Sequence, residues 1–166
     1  RRVLFRSAAS RRKIERAALE LERQHGEVEA RRRYIETILE RITTGVVSVD
    51  GGGAITSINS AAARLLTLDR SVVGQALPVV FERADLRPLA TLMANVARTR
   101  EEPAVQEAAV VRGGQEVHLA VVVTPLPGEG GGREGAVLVF DDVTPLIRAQ
   151  KVAAWREVAQ IGRAHV

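Results

Sequence analysis

The sequence predicts an α+β fold: a single domain with a five-stranded antiparallel sheet and helices on one side, flanked by an N-terminal coiled-coil helix and a C-terminal helix. Three observations carry this. Apolar residues recur every seven positions through residues 8–44, the period changes to two at Gly45, and an amphipathic stretch follows residue 142.

The first segment, AASRRKIERAALELERQHGEVEARRRYIETILERITT, places Ile14, Leu21, Val28, Ile35 and Ile42 seven residues apart. Ala18, His25, Arg32 and Leu39 follow the first four of these by four residues, which leaves the seam apolar at both ends and polar in the middle. Gly26 sits in that weak centre and costs about 1 kcal/mol against alanine in a helix. A single solvated helix would also suit the Glu and Arg content. Five successive heptad positions holding Ile, Leu or Val favour a homodimeric coiled coil, with that seam as the contact.

From Gly45 the pattern alternates. GVVSVD (45–50), a glycine turn and AITSIN (54–59) read as a β-hairpin. Asn59 or Ser60 can cap the helix SAAARLLTL, since a side-chain oxygen there satisfies free backbone N–H groups. DRSVVGQALPVVF reads as a connection, followed by a helix from Asp85 to Arg100 with Leu86, Leu89, Met93 and Val96 or Ala97 on one face. Strands are expected at 104–112, 116–126 and 134–142, the first two joined at Gly113-Gly114. Residues 143–160 close the chain as a helix with Ile147, Lys151, Ala154 and Val158 on one side. A ligand pocket, if the domain has one, is expected between the sheet and the 85–100 helix, with Met93 in its lining.

Composition narrows the function classes. The chain lacks cysteine, which removes disulfides, thiolate metal sites and a cysteine nucleophile, and fits a reducing cytosol. No run of about 18 apolar residues occurs, so no membrane contact is expected for this segment. The chain carries 24 basic and 20 acidic residues, a formal charge of +4. The two ends bear on that number. RRVLFRS (1–7) and IGRAHV (161–166) back-translate to a common sequencing adaptor, in reverse complement and forward sense, and are expected to be adaptor-derived. Setting aside Arg1, Arg2, Arg6 and Arg163 leaves 20 basic against 20 acidic residues, so charge gives no reason to expect a nucleic-acid partner. His165 then carries no function.

Other candidates have ordinary readings. Gly130, Gly132 and Gly135 have GxGxxG spacing, but a strand follows them where a phosphate loop needs a helix, so a hairpin loop is expected. His118 lies on a strand and reads as a half-exposed packing residue, with a haem ligand as the alternative. Arg31, Arg32 and Arg33, flanked by Glu27, Glu29 and Glu36, read as a solvated helix face rather than a phosphate patch. Asp142 and Thr144 stand where the last strand becomes a helix, and both can accept backbone N–H bonds there. Asp142 could also pair with a cation such as Arg112. No catalytic constellation is legible, so no enzymatic activity and no metal site are expected of this segment.

The order of elements resembles a PAS domain. The likeness is carried by GVVSVDGGGAITSINSAAARLL and by LVFDDVTPL, in which Asp142-Val143-Thr144 takes the place of the family's Asp-Ile-Thr motif. With its flanks, ARRRYIETILERITTGVVSVD and FDDVTPLIRAQKVAAWREVA, the chain is similar to the PAS region of nitrogen-regulation sensor histidine kinases of the NtrY type. That resemblance implies a bacterial two-component system, with residues 8–44 following a HAMP-like linker, a PAS domain over 45–142, and an output helix over 143–160 that leads to a missing phospho-acceptor domain. It further implies signal coupling through Asp142, Val143 and Thr144, and a response regulator acting in trans on the parent. The segment would then be cytoplasmic and its parent anchored in the inner membrane. No cofactor is expected, haem or a small metabolite being the alternative. Some PAS domains bind flavin, but a light-sensing flavin adduct needs a cysteine. The alternative output is a cyclase or transcription regulator, or the module is a dimerising strut.

Overall fold

A computed structural model of the chain describes residues 2–98, 105–128, 130 and 133–164. Contacts divide it into two units, one ending at Arg41 and one beginning at Ile42.

The first unit is the single helix α1 (Arg2–Arg41). Glu, Arg and Ala are strong helix formers, and their spacing adds ion pairs one turn apart. Arg23 contacts Glu20 at 2.9 Å and Glu27 at 2.8 Å, and Arg32 contacts Glu36 at 3.0 Å. The arginine run is thus a solvated helix face. Ile14, Leu21 and Val28 are about two-thirds exposed, at 66%, 67% and 64%. Ile42 lies beyond the helix end and cannot be the fifth rung of a helical seam, so the expected seam shortens to four positions. The helix also starts earlier than residue 8 and stops short of Thr43-Thr44.

The second unit is built on five antiparallel strands: β1 (Gly45–Asp50), β2 (Ile55–Ile58), β3 (Gln106–Arg112), β4 (Gln115–Pro127) and β5 (Arg133–Asp142). Their spatial order is β2-β1-β5-β4-β3. The first hairpin turns on Asp50, whose carboxylate accepts the amides of Gly52 and Ala54, both at 2.9 Å. The second turns on Gly113 and Gly114, whose φ angles of 56° and 77° suit the mirror-image turn that matches strand twist. Gly135 lies in β5, where an added Cβ would meet the Val49 carbonyl oxygen at 2.0 Å. The glycine therefore serves close strand approach in place of a phosphate loop; Gly132 lies outside the described residues.

Alternation sends Val47, Leu119, Val121, Leu138 and Phe140 to one face of the sheet, where each is essentially buried. The helices α2 (Ser60–Leu66), α3 (Leu77–Arg83) and α4 (Arg87–Arg98) supply Leu66, Leu77, Phe81, Leu86 and Leu89 to the same core cluster. Two expectations change here. The stretch 69–81, expected to be a plain connection, contains a 3₁₀ turn (Arg70–Val72) and α3, which buries Leu77, Val80 and Phe81. Pro78 at the start of α3 is compatible with a first helical turn. Helix α4 begins two residues later than expected, because Asp85 takes a left-handed conformation (φ 58°) and Leu86 N–H bonds back to Phe81 C=O at 2.7 Å. Met93 packs against the core from its half-buried edge, beside buried Leu92. The side chains of Val96 and Ala97 and the expected helix end at Arg100 lie outside the described residues. Helix α5 (Thr144–Ala164) follows β5. Of its expected face, Ile147 is half-buried, while Lys151, Ala154 and Val158 are exposed. His165 lies outside the described residues.

Candidate functional site: the junction of sheet and C-terminal helix

The last residues of β5 run directly into α5, and the change of direction is held by side chains. The Asp142 carboxylate accepts the Thr144 amide at 2.9 Å, a local bond that fixes the turn and presents negative charge to the helix start. Val143 then accepts the Ile147 amide at 3.0 Å, the first bond of the helix. Thr144 is buried, at 7% exposure, and its hydroxyl accepts the His118 amide at 2.8 Å. Val143 N–H in turn donates to His118 C=O at 2.9 Å. One residue of β4 is therefore gripped through both of its backbone groups by Val143 and by Thr144, the first residue of α5. All three expected coupling positions, Asp142, Val143 and Thr144, meet at this clamp.

The entry to the domain lies beside this exit. β1 pairs with β5 through Gly45↔Phe140, and the Thr44 hydroxyl donates to Asp141 at 2.8 Å across 97 residues of sequence. Asn59 fixes the same segment. Its side-chain oxygen accepts the Ala62 amide at 2.9 Å, capping α2, and the Val46 amide at 2.8 Å; its amide nitrogen donates to Thr44 C=O at 3.0 Å. Sequence reasoning found Asn59 as a cap but missed its hold on residues 44–46. Thr44 and Asp141 were missed entirely; the only local signal is a hydroxyl just before one strand and a second aspartate at the end of another.

Arg112 does not pair with Asp142. Its guanidinium donates to Ala84 C=O at 3.2 Å, in the turn between α3 and α4. Burial pulls its pKa down, and the nearby Asp85 carboxylate opposes that shift. His118 faces away from buried Leu119 and Val121, and its Nε2 lies 2.8 Å from the Glu116 carboxylate. An imidazole so placed does not reach the interior, which gives no support to an internal haem held by His118. Among the described residues, no group of three or more His, Cys, Asp or Glu side chains gathers as a metal site. Beside the clamp lies a cleft of about 360 Å³ lined by Gln115, Glu116, His118, Thr144, Ile147, Arg148 and Lys151.

A family model described as the PAS fold matches residues 33–143, a range that spans all five strands and the three short helices. The chain belongs to the PAS family. The chain is 31% identical, over 136 residues, to the nitrogen regulation protein NtrY of Azorhizobium caulinodans. The match covers 81% of this chain and 17% of that relative, so the chain spans about one-sixth of its length. Among solved structures, the PAS domain of BvgS from Bordetella pertussis matches with a TM-score of 0.55 at 17% identity, covering 79% of this chain and 98% of that one. The PAS domain of an HTR-like protein from Haloarcula marismortui matches with a TM-score of 0.52 at 20% identity, covering 73% and 98%. In this PAS domain Asp142-Val143-Thr144 occupies the strand-to-helix boundary at the end of the matched region. No helix among the described residues is long and apolar enough to cross a membrane.

Proposed function

We propose that this chain is the sensory and relay module of a two-component sensor histidine kinase of the nitrogen-regulation type. It passes a conformational signal from the segment preceding Thr44, or from a bound ligand, to the kinase through α5. The observation that carries this reading is the grip of Val143 and Thr144 on both backbone groups of His118, with Asp142 fixing the turn. Any shift of β4 against β5 then moves the first turn of α5, and the helix start has two anchors to exchange. A relay needs such a two-state element, biased by different contacts in its two states. The parent is read as a homodimer joined through the α1 seam Ile14, Leu21, Val28 and Ile35, with a response regulator as its partner in trans. It is read as anchored in the inner membrane, with this segment on the cytoplasmic side.

The test is Asp142→Ala and Thr144→Val in the intact parent, with autophosphorylation and phosphotransfer measured across stimuli. The expected result is altered output from a PAS core that still folds. Phosphorylation unchanged under every stimulus, with the domain folded, overturns the relay.

A second reading is a strut that transmits motion without an internal ligand. It is supported by the aromatic and aliphatic side chains packed between sheet and helices, including Phe81, Leu86, Leu89 and Phe140, each at most 1% exposed. The two readings differ in whether any small molecule alters output in the intact parent.

A further inference from the structure

We infer that the cleft at the root of α5 binds a short dicarboxylate, at a place distinct from the domain interior. The cleft measures about 360 Å³, within the range of small-ligand pockets, and opens between the start of β4 and the first two turns of α5. Arg148 and Lys151 stand three residues apart on α5, so they are neighbours on one helix face. Neither has an ion-pair partner among the described residues. The one carboxylate in the lining, Glu116, is 2.8 Å from His118 Nε2 and already engaged. Gln115 adds a neutral amide that can donate. The lining therefore offers two free cations and an amide donor against one committed anion.

The apolar part of the lining decides between ligand classes. Half-buried Ile147 sits in the same wall as the two cations. A planar carboxylate matches the fork of Arg148, a second carboxylate can reach the Lys151 ammonium, and a hydrocarbon stem between them covers Ile147. Inorganic phosphate would satisfy the cations and leave the isoleucine wet. Neutral amides of the same length would cover the isoleucine and leave both charges unanswered. The occupant bridges two elements. It would touch Glu116 and His118 on β4 and Arg148 and Lys151 on α5, on either side of the Thr144–His118 hydrogen bond.

Binding can be measured on the full chain by amide NMR, with succinate as the probe and inorganic phosphate and succinamide as comparators. Saturable succinate shifts confined to residues 115–118 and 144–151, with a dissociation constant of about 1 mM or below, are expected. Arg148→Gln and Lys151→Gln, both at exposed helical positions, should each weaken binding by about tenfold or more. Glu116→Gln should tighten it by removing the opposing charge. The inference is overturned by shifts that do not saturate, by binding that survives in both cation variants, by weaker binding in Glu116→Gln, or by phosphate or succinamide binding as well as succinate. This binding claim does not rest on the relay; only its effect on kinase output would. Failure here leaves the Asp142 and Thr144 test standing, and failure of that test leaves this site standing.

Discussion

Helix α1 and the PAS unit solve the same problem, hiding apolar surface from water, in opposite ways. The PAS unit hides its own: Val47, Phe81, Leu86, Leu119, Leu138 and Phe140 are each at most 1% exposed, drawn from strands and helices far apart in sequence. α1 hides almost none of its seam, and what holds it locally is propensity and exposed i,i+3 and i,i+4 ion pairs. Such pairs contribute only about 0.3–0.5 kcal/mol each. One region carries its stabilising contacts within itself, whereas the other leaves Ile14, Leu21 and Val28 about two-thirds exposed.

The largest effect should come from breaking the self-contained side. Phe140 is wholly buried in β5, two residues before Asp142, and touches the core from the middle of the sheet. Phe140→Ala is expected to cost about 3–5 kcal/mol, a large share of the roughly 5–15 kcal/mol that separates folded from unfolded states in small domains. Chemical denaturation should show the PAS transition lost or shifted to low denaturant. Helicity from α1 should persist in that variant if the seam finds its partner, and its concentration dependence measures this directly. Leu21→Glu should abolish that dependence and leave the PAS transition where it was, which sedimentation and circular dichroism would show together.

Next in size stands Asn59→Ala. A cap alone is worth about 1 kcal/mol, but Asn59 also holds Val46 N–H and Thr44 C=O. Counting about 1 kcal/mol for each longer-range bond, a loss of about 2–3 kcal/mol is expected in equilibrium unfolding. A loss near 1 kcal/mol would mean that the bonds to residues 44–46 are replaced by water without cost. Thr44→Val, which removes only the bond to Asp141, should cost about 1 kcal/mol or less at that exposed site.

What the sequence disclosed follows the same division. Periodicity is local, so the strand positions, the Gly113-Gly114 turn, the Asn59 cap and the Asp142–Thr144 junction could all be read from neighbours a few residues apart. α3 could not. Its seven residues are too few to display a helical period, and Pro78 in an apolar run reads as a breaker although it begins a helix. Phe81, wholly buried in the structure, was consequently read as the end of a connection. Features that close over long separations were silent as well: the bonds of Thr44 with Asp141 and Arg112 with Ala84, and the cleft that Arg148 and Lys151 line together with the start of β4. Ile42 failed for a different reason. The heptad continues past the helix that would carry it, because a β-strand pattern takes over three residues later.

The smallest effect contrasts two exposed carboxylates, one from each region. Glu20 in α1 is held below the usual carboxylate range chiefly by its hydrogen bond to the Arg23 side chain. Asp69, at the start of the 3₁₀ turn, is held below its usual range chiefly by the Ser71 side chain and then by the Ser71 amide, which donates to it at 2.8 Å. Both pKa values are depressed in the folded protein. Each carboxylate therefore favours folding above its unfolded pKa and loses that contribution as pH falls through the folded value. Their partners differ in charge. Glu20 answers a full cation at the surface, an interaction that salt screens over about 10 Å at 0.1 M and about 3 Å at 1 M. Asp69 answers neutral dipoles in direct contact, which salt barely affects. Carboxyl-carbon NMR titrations at low and high salt should show Glu20 moving up toward the ordinary glutamate value while Asp69 stays down. Asp69→Asn should keep an acceptor for the Ser71 amide and remove the titration. Equal salt shifts at the two sites would mean that Asp69 feels a cation near the turn, such as Arg70, more than it feels Ser71. The contrast between a charge-held helix and a hydrogen-bonded PAS unit would then fail at this position.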